Sequence, residues 1–209
     1  ETSMIEWMEA HSIGINDTDI NLIGEGLVDA NTYSSISFET IDPSDLGSEN
    51  LEGVDNTVIT LDGDESNMVD ASTEVEVAET MTGASSYGIQ GTTIFGDGDG
   101  ANIINAEAII EADFSSWSGF TGSELDEFIA MGLNDSNIVL GKGADVVRGV
   151  AKQDLTLNES FSETLDTDSA LAQTLSQSAG INNSAINTGA GNDIVEGQVS
   201  GEAIHVDTS

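Results

Sequence analysis

The sequence predicts a mainly β protein, a parallel β-solenoid or β-roll-like stack of about five coils with short helices between the coils. Three observations predict this fold: a five-fold internal repeat, short runs of alternating apolar and polar residues, and glycines that recur at fixed positions in each copy. A single strand pair cannot bury its apolar face, whereas stacked parallel copies bury a continuous core. We therefore expect one repeat domain over residues 1–209.

The five copies share one template. It begins with Gly, an aliphatic residue, an Asn/Asp pair and a Ser or Thr. An Ile-rich strand follows, and then Gly-x-Gly-x-Asn/Asp and two aliphatic residues. They start near residues 14, 53, 88, 132 and 180, and the clearest are GLNDSNIVLGKGADVV and GINNSAINTGAGNDIV. The first three copies are degenerate; the second, for example, has Glu65 in place of the second turn glycine. Ile138 and Leu140 alternate with polar residues, which indicates a half-buried strand before the glycine turn.

Three segments between the repeats have the pattern of helices that end at the first glycine of the next copy. They are SMIEWMEAHSIG, which begins with a capping box from Ser3 to Glu6, SELDEFIAMG, from Ser123 to Gly132, and DSALAQTLSQSAG, from Asp168 to Gly180. Their apolar faces, which we expect to pack on the solenoid, contain Trp7, Phe128 and Leu175.

The charge balance limits the possible partners. Asp and Glu number 39 against three Lys and Arg, a formal net charge of −36, so a compact fold needs cations from the medium. Nucleic acids and anionic membranes are not expected as partners, because binding them requires the opposite sign of charge. No apolar run is long enough for a membrane-spanning helix. The three basic residues, Lys142, Arg148 and Lys152, fall within one short stretch.

The chain contains no cysteine, so it has neither disulfides nor thiol chemistry. In a secreted protein, bound metal ions are the obvious substitute for disulfides. The chain begins at Glu1 without an initiator Met or a signal-type segment, and we expect a processed or excised part of a longer chain. Such acidity also raises the alternative of disorder, but the regular glycines and the alternating Ile and Val runs argue against it.

The glycine turns GKGADVV (141–147) and GAGNDIV (189–195) resemble the calcium nonapeptide, G-G-x-G-x-D-x-aliphatic-x, of secreted haemolysin-type (repeats-in-toxin) proteins. The resemblance implies bound Ca²⁺, held by backbone carbonyls and an Asp carboxylate. The matching positions are Gly141, Gly143 and Asp145 in the fourth copy and Gly189, Gly191 and Asp193 in the fifth. In the earlier copies, Asn102 and Asn67 take the Asp position, and Asp97, Asp99 and Asp64 are further oxygen donors. The family stacks its nonapeptides in tandem, whereas this chain has one turn per copy, so any shared ion would lie between neighbouring coils.

A second Asn/Asp cluster lies at the opposite corner of each copy. Its members are Asn16-Asp17, Asp55-Asn56, Asn134-Asp135 and Asn182-Asn183. It is either a ladder, in which side chains hydrogen-bond along the stack, or a second row of ions. We favour the ladder, because Asn is more common than Asp at these positions and tolerates tight turns.

Catalysis is not expected. The two histidines, His11 and His205, lie near opposite termini and follow no triad or metalloprotease spacing, and there is no G-x-S-x-G elbow. Paired carboxylates occur throughout so acidic a chain, so no glycosidase-like pair can be singled out. Parallel solenoids that act on polysaccharides use Lys, Arg or aromatic residues in a groove, and this chain is poor in all three.

The copies are similar to repeats of large secreted cyanobacterial proteins of the haemolysin type at cell surfaces. We therefore expect an extracellular, cell-surface, calcium-stabilised structural protein that self-assembles with copies of itself into a filament, surface layer or sheath. The alternative is a calcium-dependent adhesin module that binds glycans or a host surface, with an extracellular polysaccharide as its partner. Because Lys142 and Arg148 flank a glycine turn, we expect the fourth copy to bind calcium less well or to meet an acidic neighbour in an assembly.

Overall fold

The computed structural model describes residues 9–36, 47–77, 81–114, 128–158 and 176–206, and each of these five stretches forms one coil of three strands. We number the coils 1 to 5 in chain order. The strands are β1 (Glu9–Asn16), β2 (Asp19–Ile23), β3 (Gly26–Ile36), β4 (Gly47–Asp55), β5 (Val58–Asp62), β6 (Asn67–Val77), β7 (Met81–Gln90), β8 (Thr93–Gly96), β9 (Ile103–Phe114), β10 (Phe128–Asn134), β11 (Asn137–Val139), β12 (Val146–Asn158), β13 (Ser176–Asn182), β14 (Ala185–Asn187) and β15 (Ile194–Val206).

Every third strand joins the same sheet. The first sheet has the order β1-β4-β7-β10-β13, the second β14-β11-β8-β5-β2, and the third β15-β12-β9-β6-β3. All neighbours pair in parallel, and equivalent residues of successive coils lie side by side in columns. The predicted parallel β-solenoid of five coils is therefore confirmed.

The core lies between the three sheets and is made of aliphatic columns. The second sheet supplies Ile20, Ile59, Ile94, Ile138 and Ile186, and the third supplies Val28, Val69, Ile104, Val147 and Val195. Side chains of a strand alternate between its two faces, so every second residue points into the core. A shift of one residue in the pairing would turn the aliphatic residues outward. The members in coils 2 to 4 are fully buried and form one continuous cluster.

The glycine that opens each copy lies where the first sheet meets the third. A Cβ added to Gly132 would lie 2.7 Å from the carbonyl oxygens of Ala106 and Gly180, and against the backbone nitrogen of Val150. Gly88 and Gly180 are crowded by backbone of the third sheet in the same way, whereas Gly14 and Gly53 are crowded by the carbonyl oxygen of the equivalent glycine in the next coil, at 2.7 and 2.6 Å. In coils 3 to 5 the two sheets are in direct backbone contact at this glycine, and no side chain fits between them.

The predicted helices are wrong wherever the structure describes them. Residues 9–13, 128–131 and 176–179 belong to β1, β10 and β13, and Gly132 lies inside β10 instead of ending a helix. Phe128 and Ala130 are buried while Ile129 and Met131 are partly exposed, the two-residue period of a strand. β10 pairs with strands on both sides, and this pairing outweighs local helix propensity. The remaining predicted helical residues, including Ser3, Glu6, Trp7, Ser123, Asp168 and Leu175, lie outside the described residues.

Within the described ranges there is no helix long and apolar enough to cross a membrane.

Candidate functional site

The corner between the first and second sheets holds a column of residues with left-handed backbone. Its members, with φ between 43° and 57°, are Asp17, Asn56, Gly91, Asp135 and Asn183. Gly, Asn and Asp adopt this conformation more readily than other residues, which explains the Asn/Asp pair of the repeat template. We call this column the corner column.

Side chains at this corner hydrogen-bond along the stack. Asn183 donates its amide to the carboxylate of Asp135, and Asn56 donates to that of Asp17. In the preceding column, Asn182 Nδ2 donates to Asn134 Oδ1 at 2.7 Å. The predicted ladder is confirmed for these pairs; it is interrupted at coil 3, where Gly91 has no side chain.

A hydroxyl ladder follows directly after the corner column. The backbone N–H groups of Thr57, Thr92 and Ser136 each donate to the hydroxyl of the next coil, at 3.4, 3.2 and 3.1 Å. Each hydroxyl in turn donates to the carbonyl two residues before it at 2.8 Å. Sequence reasoning noted the recurring Ser or Thr but assigned it no role, because its partner lies one coil away.

At the glycine turns, the Asn/Asp positions form a third ladder, between the second and third sheets. Asn102 N–H and Nδ2 donate to Asp145 Oδ1 at 2.8 and 3.1 Å, and Asp145 N–H donates to Asp193 Oδ1 at 3.1 Å. Asn67 Nδ2 donates to Asn102 Oδ1 at 3.3 Å. The structure thus brings together four predicted site residues, and we call them the turn column.

Asp145 is the most constrained member of the turn column. Its side chain is fully buried, and its Oδ2 has no hydrogen-bond partner among the described residues. A buried carboxylate normally requires hydrogen bonds or a cation at both oxygens, since leaving one bare costs roughly 1–3 kcal/mol or more. Oδ2 of Asp145 is therefore the atom in this region best suited to a cation.

The turn glycines allow successive turns to stack closely. A Cβ on Gly141 would collide with the carbonyl oxygen of Gly98, and one on Gly191 with that of Gly143. Gly143 and Gly189 also have φ values of 151° and 72°, which favour glycine. One turn carbonyl, Gly100 O, accepts a hydrogen bond from Asn102 Nδ2 of the turn column at 3.2 Å.

The further oxygen donors predicted from the sequence are on the surface. Asp64, Asp97 and Asp99 are exposed, whereas Asn67, Asn102 and Asp145 are buried. Asp64 Oδ1 accepts a hydrogen bond from the backbone N–H of Asp99 at 3.3 Å. Asp99 also forms an ion pair with Lys142 Nζ at 3.1 Å, so a lysine of the next coil already neutralises it in part.

All three basic residues lie in coil 4 and pair with acids. Lys142 reaches Asp99 of coil 3, and Arg148 Nε lies 3.3 Å from Glu196 of coil 5. Lys152 Nζ lies 2.5 Å from Asp154 and 3.3 Å from Glu111 of coil 3, and these two carboxylates raise the pKa of Lys152. Lys142 and Arg148 thus pair with acids of adjacent coils of the same chain. The expectation that they meet an acidic neighbour in an assembly stays a prediction.

An acidic cluster that sequence reasoning missed lies on the third sheet. Carboxylate oxygens of Glu74, Glu76 and Glu111 lie within 4.8 Å of one another. A sequence signal was present, because Glu111 follows Glu76 by 35 residues, the same offset that separates Gly53 from Gly88. The register accordingly places Glu76, Glu111, Asp154 and Glu202 in one column. The cluster is a surface on which cations are expected to concentrate.

Carboxylates also lie close together beside the corner column, around Asp55. Burial, the nearby carboxylate of Glu52 and then that of Asp17 raise the pKa of Asp55 above its ordinary value of 3.8, and a backbone hydrogen bond from Asn56 opposes the shift. This carboxyl is therefore less stable as an anion in the folded chain than in water.

Comparisons of the chain with protein-family models, with curated proteins and with solved structures find no match.

Proposed function

We propose that the protein is an extracellular, calcium-stabilised structural repeat protein whose copies self-assemble. The observation that carries the calcium proposal is Asp145, a fully buried carboxylate at a glycine turn whose Oδ2 has no hydrogen-bond partner among the described residues. The donors that we assign to the ion are oxygens, as Ca²⁺ prefers: the carboxylates of Asp145 and Asp193, together with backbone carbonyls of the glycine turns.

The overall charge supports the same proposal. The chain has 39 acidic residues, and its three basic residues are all used in ion pairs of coil 4 with itself and with coils 3 and 5. Coils 1 and 2 contain no Lys or Arg. Divalent cations from the medium would lower this repulsion, both within the chain and between copies. The extracellular location rests on the resemblance of the glycine turns to secreted calcium repeats.

Calcium dependence is tested by denaturant unfolding followed by circular dichroism in calcium, in magnesium and in chelator at equal ionic strength. Each site that binds only the folded chain adds about 2.7 kcal/mol when free calcium is 100 times its dissociation constant. We expect calcium to raise the unfolding midpoint well above magnesium. Equal midpoints in calcium and magnesium would mean that divalent cations stabilise the fold only by screening its charge, and this would contradict a calcium site.

Self-assembly is tested separately by sedimentation velocity over a concentration series, with and without chelator. We expect oligomers that grow with protein concentration and shrink when calcium is removed. A sedimentation profile that does not respond to chelator would contradict calcium-dependent assembly. Glycan binding by a protein that stays monomeric in calcium would favour the adhesin alternative.

A further inference from the structure

Within the described part of the chain, each of the three sheets has an edge strand in the first coil and another in the last coil. Among the described residues, β1, β2 and β3 form the edges at one end, and β13, β14 and β15 form them at the other. We call these the N-terminal face and the C-terminal face. Unpaired strand edges offer backbone donors and acceptors to any strand of matching register.

The apolar columns of the core continue to both faces. Ile15, Ile20 and Leu22 of coil 1 and Ile181 and Ile186 of coil 5 are only partly buried, although they pack against the core. Val195 and Val199 of coil 5 are 52% and 58% exposed, whereas Val147 and Ala151, their column neighbours in coil 4, are fully buried. The C-terminal face is thus apolar where a further coil would pack.

From these features we propose that a second copy of the chain stacks its N-terminal face on the C-terminal face of the first and continues all three parallel sheets. The inference rests on the proposed self-assembly, and it adds the surface, the direction and the register. Ile15, Ile20 and Val28 of the second copy then lie over Ile181, Ile186 and Val195, the columns they already share within one chain.

The polar ladders also support a second copy of the chain as the partner of the C-terminal face. The backbone N–H groups of Thr57, Thr92 and Ser136 donate to the hydroxyl of the next coil, and the hydroxyl that would follow Ser184 is Thr18 of the second copy. Thr18 Oγ1 donates to Asn16 O at 2.8 Å, the same arrangement as in the other members, so its lone pairs are available to an N–H group. Asn16 of the second copy likewise continues the ladder by which Asn182 donates to Asn134.

One contact in this register is unfavourable. Asp29 of the second copy would lie beside Glu196, and like charges directly opposite on parallel strands destabilise the pair. Arg148 pairs with Glu196 from the other side at 3.3 Å and reduces this repulsion only in part. Added cations should therefore promote stacking. Because the two faces differ, the contact is heterologous and repeats without closure, which produces a linear filament.

The test blocks one face at a time. Ile186→Lys places a charge in the core column of the C-terminal face, and Ile20→Lys does so at the N-terminal face. Each substitution makes the chain less acidic, so general charge repulsion would fall and any loss of assembly would be due to the face. Phe95→Lys, at a residue 44% exposed on the side of the second sheet, is the matched control.

In calcium, we expect mass photometry and sedimentation velocity to show a series of dimers, trimers and longer species for the unmodified chain and for Phe95→Lys. Each blocked variant alone should be monomeric, and an equal mixture of the two should form dimers and nothing larger. Circular dichroism checks that both variants fold. If Ile186→Lys does not fold, Val195→Lys blocks the same face at a residue that is already half exposed.

Three outcomes would overturn the inference. Oligomers that persist in either blocked variant, or that disappear in Phe95→Lys, would mean that copies associate by another surface, and self-assembly itself would stand. An unmodified chain that stays monomeric in calcium would overturn both end-to-end stacking and self-assembly. In that case, the separate unfolding experiment would still decide whether calcium stabilises the fold.

Discussion

The buried carboxylate of Asp145 accepts two hydrogen bonds from Asn102 of the preceding coil, from the backbone N–H at 2.8 Å and from Nδ2 at 3.1 Å. Both bonds end on Oδ1, and Oδ2 accepts none within the described part of the chain. One oxygen therefore links the coils, and the proposed calcium ion would use the other. This division lets a single residue act in a structural ladder and in an ion site.

Asp145→Asn separates these two roles. An amide retains a carbonyl oxygen for Asn102 but removes the buried negative charge. In chelator, we expect the variant to be more stable than the unmodified chain by about 1–3 kcal/mol, because a buried amide nitrogen without a partner costs less than a buried carboxylate oxygen without one. In calcium, the stabilisation by the ion should be smaller than in the unmodified chain. Denaturant unfolding under both conditions measures the two effects.

The exposed Asp62 supplies the control, because Asp62→Asn changes the net charge equally. If both variants respond to calcium in the same way, the response reflects total charge and not a site at Asp145.

Gly132→Ala tests the contact between the first and third sheets. The added methyl group would lie 2.7 Å from two carbonyl oxygens, and backbone cannot move aside as a flexible side chain does. We expect a loss of about 3 kcal/mol or more in the free energy of unfolding. Gly197→Ala is the control, because its methyl group would meet nothing nearer than 3.5 Å and should change stability by less than about 1 kcal/mol. A helix-ending role for Gly132 would instead predict a mild effect.

Two substitutions at Gly91 should have opposite signs. Gly91 has a φ of 57° and interrupts the corner column between Asn56 and Asp135. Gly91→Asn supplies an amide that continues the ladder in a conformation that Asn tolerates, and we expect a gain of about 0.5–1 kcal/mol. Gly91→Ala adds no hydrogen bond and should cost about 1–2 kcal/mol. Thermal or denaturant unfolding distinguishes them; a loss with both would mean that Asn at residue 91 does not join the ladder.

Asp55→Asn should change the pH dependence of stability. Burial and the carboxylates of Glu52 and Asp17 raise the folded-state pKa of Asp55, so the folded chain holds this proton more tightly than the unfolded chain. Its contribution to stability therefore falls as the pH rises from 3.8 through the raised pKa. Asn is neutral at every pH, so the variant should be more stable near pH 7, by less than about 1 kcal/mol because the carboxyl is partly exposed to solvent.

The advantage of Asp55→Asn should disappear as the pH falls below 3.8, where Asp55 is protonated in both states. Unfolding midpoints measured between pH 3 and pH 8 test this window, with Asp62→Asn as the charge-matched control. An advantage that did not depend on pH would show that the pKa of Asp55 is not the cause.

Much of the fold could be predicted because its signals are local. The alternation of apolar and polar residues around Ile138 is visible within one copy, and the other copies repeat it. Such copies bury their apolar faces only when they stack in parallel. The segment ending at Gly132 was misassigned because a short apolar run such as FIAMG fits a helix and a buried strand equally well. Pairing with β7 and β13 decided between them, and those partners lie far away in the sequence.

The sequence by itself determined the five-fold repeat, the parallel solenoid and the Asn and Asp residues at the corners, because each follows from residue type and spacing along the chain. Only the tertiary structure decided where the side chains point and which residues they contact. Asp145 bonds to Asn102, 43 residues away, and Arg148 pairs with Glu196, 48 residues away. Such partners depend on the register in which coils stack, and that register exists only once the sheets have formed.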